Sequence, residues 1–309
     1  MRRPGLTLIE LVIVLVILTI LALIAVVATE GAIDQAKYDV TRRTLGNIDA
    51  AILGPSGGSG TPINAGLAAF IADVGRPPLT VGADSTTGTQ LSELWSNPRG
   101  LRVYGPAATT GTGAISDKNI TIYSGWRGPY LQLPTTTGAT PTLLDGWGNS
   151  FQALGSDLSV LGDSQSVVWV QSLGGPSPPY NQPMLSSRSY GTWAGTVTGS
   201  LVDGQPLTPP SNPVEVRLFV PDVTQSGGVS EYVRTFGTDG TDTSNVNGTA
   251  RTGFQFLFPD PTHYPAEASV SLATGPKALK ISQSGTTLSV VYFTLPAGSY
   301  TLTERPDLR

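Results

Sequence analysis

The feature that most constrains this chain is an apolar run from Leu11 to Ala28, interrupted only by Thr19 and preceded by Met1-Arg2-Arg3-Pro4-Gly5-Leu6-Thr7-Leu8-Ile9-Glu10. Its length and composition are those of a membrane-spanning helix. About 17 apolar residues at roughly −0.3 to −0.6 kcal/mol each, with alanines contributing less, outweigh one carboxylate costing at most about 3 kcal/mol. Glu10 is therefore compatible with insertion. Arg2 and Arg3 precede the run and Glu30 and Asp34 come after it, so the positive-inside rule keeps the N-terminus cytoplasmic and exports the rest of the chain.

A secretory signal would end in a small-residue cleavage site, but the pattern past Ala28 continues as a helix. Ile33, Ala36, Val40, Thr44, Ile48 and Ile52 recur at three- and four-residue spacing, with Asp34, Lys37, Arg42, Arg43 and Asp49 between them, which predicts an amphipathic continuation. Gly54-Pro55 terminates it. A helix over 6–53 would be roughly 70 Å long, more than a bilayer requires.

A carboxylate at the head of such a span is costly unless paired, so it marks a functional position; the plain alternative is that Glu10 reaches the cytoplasmic headgroups. Gly5-Leu6-Thr7-Leu8-Ile9-Glu10 resembles the processing site of type IV prepilins and of type II secretion pseudopilins. The resemblance implies that a prepilin peptidase cuts between Gly5 and Leu6 and methylates the new amine on Leu6, where the family more often has Phe. It also implies that Glu10 neutralises the Leu6 amine of a neighbouring subunit. Because an unpaired buried ion is far costlier than a paired one, that contact would select one stagger between adjacent helices.

The remainder reads differently. Charged residues are 13% of the chain, and Gly (37) and Pro (25) are abundant, which suits a turn-rich β protein. A net charge of −4 with no basic stripe argues against nucleic-acid binding. There is no cysteine, hence no disulfide or thiolate chemistry. From Gly54 to about Leu185 the sequence predicts short strands and ordered loops, with a turn or two of helix over Leu67 to Val74. Three tracts, Phe70 to Pro78, Gly125 to Leu131 and Asp145 to Phe151, occur in an order similar to the major pseudopilin of type II secretion. Trp126, Tyr130, Trp147 and Phe151 suit loop packing. That family carries a Ca²⁺ site after its last strand; here the turn reads Ser172-Leu173-Gly174-Gly175-Pro176, without the expected acidic residue.

The last 120 or so residues predict an added domain. Thr196 to Val202, Val214 to Val220, Glu231 to Phe236, Gly253 to Phe258, Ala278 to Ser282, Thr287 to Leu295 and Ser299 to Thr303 are rich in β-branched and aromatic residues and separated by turn residues. Their number and spacing suggest a β-sandwich. Gly195 to Gly199, Asp203 to Pro206 and Leu295 to Leu302 are similar to transthyretin-like carboxypeptidase regulatory modules. The Pro-rich stretch from Gly174 to Pro183 is the linker candidate. Asp239 and Asp242, in a run of Asp, Thr, Ser and Asn, are the candidate Ca²⁺ ligands, although their spacing fits no EF-hand and a polar hairpin loop explains them as well.

A single His263 and no Cys almost exclude the usual nucleophile-base pairs; Asp239 with Asp242 could in principle act on sugars, but nothing orders them as a pair. No catalytic residue is assigned. The expected fold class is α+β: leader 1–5, helix 6–53 (span 6–28, amphipathic 29–53), a pseudopilin-like sheet domain 54–185, and an antiparallel sandwich of transthyretin or immunoglobulin type over 186–309. The expected role is a filament subunit of a type IV pilus or type II secretion pseudopilus. It would begin in the inner membrane and end in a periplasmic or extracellular fibre. Its partners would be prepilin peptidase, the inner-membrane assembly machinery and copies of itself. The alternatives are a minor pilin or adhesin whose sandwich binds a surface or carbohydrate, and a membrane-anchored periplasmic protein that never polymerises.

Overall fold

The computed structural model describes residues 8–54, 69–82, 87–111, 114–117, 119–133, 141–192, 194–201, 214–236, 254–262, 264–295 and 298–304. Helix α1 (Leu8–Leu53) runs unbroken for 46 residues, as expected from a segment without proline. It ends where Gly54 turns left-handed (φ 87°) and donates its N–H to the Ala50 carbonyl, the conformation glycine adopts at least cost. Among the described residues no helix is long and apolar enough to cross a membrane. The expected 6–28 span continues past the described side chains at both ends, at 6–7 and 25–28.

The amphipathic stripe departs from expectation in phase. Ile33 and Val40 are 49% and 48% exposed, and the buried line is Thr41, Leu45, Ile48 and Ile52, joined by Asp49. The globular body therefore covers only the last four turns or so of α1, on a face rotated from the one read at 33–44. There Leu45, Ile48 and Ile52 share a core with Phe70, Ile71 and Val74 of α2 (Phe70–Val74) and with Phe151, Val170 and Tyr190. Helix α2 is five residues long and stops at Gly75, whose φ of 85° lets its N–H reach the Ile71 carbonyl.

The body's sheets are small. β1 (Gly105–Pro106) pairs antiparallel with β2 (Tyr123–Ser124), and β3 (Gln152–Leu154), β4 (Trp169–Ser172) and β5 (Met184–Leu185) form a second antiparallel sheet. The Pro-rich stretch after β4 folds back on α1: Tyr180 packs against Tyr38 and donates its hydroxyl to Gln35 Oε1 at 2.7 Å.

The C-terminal half forms two four-stranded sheets. One orders β10 (Leu272–Ala273), β6 (Ala194–Leu201) and β13 (Gly298–Glu304), with β9 (Phe254–Phe258) also on β6. The other orders β12 (Thr286–Leu295), β11 (Gly275–Gln283), β7 (Val214–Pro221) and β8 (Val229–Phe236). Val197, Phe258 and Leu302 from the first meet Val216, Leu218, Leu279 and Leu295 from the second in one core. Alternation places these side chains inward, with a period of two. The architecture is thus mixed α+β, an N-terminal helix with largely antiparallel sheets. It is not antiparallel throughout, because β13 pairs parallel with β6 from Gly298↔Gly195 to Glu304↔Leu201. Parallel neighbours need a long crossover, supplied here by the strands between them in sequence.

A third core joins the two halves, combining Ala107, Ile115, Ile120 and Ile122 with Phe219, Val229 and Ala278. Two glycines permit backbone contact across that seam. A Cβ on Gly75 would collide with the Pro221 carbonyl, and one on Gly275 would stand 2.7 Å from Ala72 Cβ. Lys280 to Asp117 at 2.6 Å and Ser116 to Glu231 at 2.9 Å add polar ties.

Candidate functional site: the N-terminal helix and its supports

Of the residues singled out for processing and assembly, Gly5 and Leu6 lie outside the described residues, and Glu10 stands exposed in the first turn of α1. Around and after Glu10 the helix presents apolar side chains that the rest of the chain leaves uncovered. From Leu8 to Ile24 every large hydrophobic is at least 48% exposed. The one polar side chain after Glu10 in this stretch is satisfied internally, Thr19 Oγ1 donating to the Leu15 carbonyl at 2.8 Å, so it brings no unmet hydrogen bond into an apolar setting.

The other end of α1 is held by polar anchors that sequence reasoning missed. Asp49, expected on the outer face, is buried and receives the Tyr190 hydroxyl at 2.7 Å, the Ser187 hydroxyl at 2.5 Å and the Ser187 N–H at 3.0 Å. Burial, then the neighbouring Asp49 carboxylate, holds the Tyr190 hydroxyl well above its ordinary pKa. A signal existed: Asp49 comes four residues after Leu45 and three before Ile52, which places it on the apolar face. About two turns earlier in the helix, Gly146 N–H donates to Thr41 Oγ1 at 2.8 Å, and a side chain on Gly146 would strike the Lys37 carbonyl. The Asp145-Gly146-Trp147-Gly148-Asn149 loop thereby rests on the helix.

Asp145 itself, the acidic residue bonded to the turn where the pseudopilin resemblance places calcium, is already filled. Its oxygens accept from Trp147 N, Asn149 N and Ser172 Oγ at 2.7 to 2.9 Å. A carboxylate saturated by N–H and O–H donors does not fit a Ca²⁺ ligand. Asp239 and Asp242, and likewise His263, lie outside the described residues. Among the described residues no group of three or more His, Cys, Asp or Glu could hold a metal ion.

Of the four aromatics expected to pack loops onto α1, Phe151 is in the shared core, whereas Trp126 and Tyr130 pack at its edge against one another, Tyr130 also meeting Phe70. Trp147 lies in the loop that rests on α1 and packs against Tyr180.

No curated protein and no solved structure matches the chain. Residues 1–26 match the family described as the prokaryotic N-terminal methylation motif, so the head of the chain carries a type IV pilin-like prepilin signal.

Proposed function

We propose that the chain is a structural subunit of a type IV pilus-like or type II secretion pseudopilus filament. Prepilin peptidase cuts after Gly5, the 6–28 segment holds the precursor in the inner membrane, and α1 then carries assembly, with Glu10 meeting the Leu6 amine of a neighbour. The observation that carries this reading is the contrast along α1: apolar side chains uncovered from Leu8 to Ile24, buried core from Leu45 onward. Uncovered apolar surface on this scale is stable only in lipid or against other chains, and the methylation motif at 1–26 selects a system that offers both in turn.

The division into leader 1–5, helix 6–53, body 54–185 and outer β domain 186–309 belongs to the same proposal. The family defined by the motif is structural rather than enzymatic. The test is electron microscopy of sheared surface filaments combined with mass spectrometry of the subunit N-terminus. Filaments whose subunits begin at Leu6 are the expected result, and recovery solely as an uncut membrane monomer overturns it. Low abundance confined to filament ends would transfer the role to a minor, surface-binding pilin.

A further inference from the structure

The seam between the body and the C-terminal sheets contains a cavity of about 340 Å³, at the small end of ligand-pocket sizes. Its walls come from α2 (Asp73), the β1–β2 region (Tyr104, Tyr123), the loop after β2 (Arg127) and the paired strands β11 and β12 (Lys277, Tyr292). Tyr123 and Tyr292 are 48% and 56% exposed and offer ring surface at the mouth. The Tyr292 hydroxyl accepts the Thr121 N–H at 3.3 Å.

The charges in this wall are unequally paired. Asp73 is engaged by Arg127 at 2.8 Å and by the Tyr130 hydroxyl at 3.2 Å, and the Arg127 guanidinium lies 4.0 Å over the Tyr104 ring. Lys277 is 1% exposed, and its ammonium has two long bonds, to the Gly275 and Pro276 carbonyls at 3.4 and 3.3 Å. Arg234, the other strongly buried cation among the described residues, has a bidentate Glu267 partner. A buried cation lacking a carboxylate is costly, and a cavity beside it supplies room for one. We propose that this cavity binds a small organic carboxylate of monosaccharide size, a uronic acid, with Lys277 as its counter-charge and the tyrosines at the mouth stacking on the sugar ring.

Burial pushes Lys277 down to about 7, so the ammonium is complete below neutrality and lost above it. Burial likewise raises Asp73 to about 6; ionisation there adds negative charge, partly cancelled by Arg127. Both groups therefore favour an anion at lower pH, while Tyr104, whose pKa is raised by burial, stays neutral.

The test is calorimetric titration of the full chain in detergent with glucuronate, and with glucose as the uncharged control. Glucuronate should bind and glucose should not. Affinity should fall by up to about tenfold per pH unit above pH 7, with proton uptake on binding. Lys277→Met should weaken binding at least about tenfold and cut the proton uptake above pH 7 to the small share left to Asp73, since the retained pocket would lack its charge. Tyr292→Ala should weaken it less while leaving the proton uptake in place. Glucuronate that fails to bind, that binds no better than glucose, or that binds Lys277→Met as well as the parent overturns the proposal. If Lys277→Met does not fold, a pH-independent affinity in the parent chain does so equally.

Discussion

The two ends of α1 belong to one continuous helix, yet the chain treats them oppositely. From Leu8 to Ile24 the apolar side chains are left outside; from Leu45 to Ile52 they are buried against α2 and against residues as distant as Tyr190, and even the carboxylate of Asp49 has three donors. Helix propensity cannot explain the contrast, because both ends are helical. The difference lies in who supplies the other half of the contact. The covered end is completed by its own chain, and the uncovered end requires something else.

This contrast can be broken by substitution. The largest effect should come from Glu10→Val, which removes one partner of a proposed buried ion pair. We expect assembly to lose roughly 3–5 kcal/mol per subunit contact and filament yield to collapse, with thermal unfolding of the body unchanged. Normal filament yield would remove Glu10 from the mechanism. Next, Ile52→Ala should destabilise the body by about 2–5 kcal/mol, since Ile52 is fully buried, whereas Ile13→Ala should leave it unaffected. Urea unfolding of the full chain in detergent measures both, and equal losses would abolish the distinction between the ends.

The polar anchors give smaller differences. Asp49→Ala strands the Tyr190 and Ser187 hydroxyls and should cost about 1–3 kcal/mol. Asp34→Ala, whose contact is a partly exposed 3.9 Å pair with Lys37, should cost at most about 0.5 kcal/mol. Chemical denaturation of the two variants distinguishes them, and similar losses would deny the covered end its special anchor.

The seam provides the contrasting case of a buried charge without a carboxylate, and here the effect is a slope. Lys277 has a folded pKa of about 7, below its ordinary 10.5. The unfolded chain therefore binds more protons between those values, and stability should rise with pH across that window by at most about 1.4 kcal/mol per unit. Asp73, raised from 3.8 to about 6, acts oppositely, so stability falls as pH rises from about 4 to 6. Lys277→Met should flatten the alkaline limb and Asp73→Asn the acid one. A parent profile flat from pH 7 to 10.5 would contradict the Lys277 assignment.

Legibility in the sequence tracks the range of the forces involved. α1 and its stop at Gly54 were legible because apolar composition, the absence of proline and a terminal glycine are local. Val214–Pro221 and Thr286–Leu295 were legible through alternation and flanking turn residues. The stripe's phase was not, since Ile33 and Val40 have suitable spacing but the body meets that part of the helix on another face, at Gln35, Tyr38 and Thr41. The parallel pairing of β13 with β6 was hidden because strand patterning contains no partner information. Asp49, Asp73 and Lys277 escaped for a related reason: each owes its burial to distant chain, with Tyr190 lying 141 positions from Asp49. Lys277 also falls just before Ala278, where the strand was expected to begin. The candidate site was therefore legible as a motif at its head and illegible at its supports.

The seam has a mechanical consequence. Gly75 against Pro221 and Gly275 against Ala72 are places where main chain touches main chain or nearly so, and the Lys280–Asp117 tie and the third core act beside them. A pull on the C-terminal sheets is therefore shared among several contacts in parallel and passes through α2 into the core that grips α1, instead of stretching a single tether. The C-terminal sheets are thus coupled to α1 through the body, and a load on them is carried to the last turns of the helix.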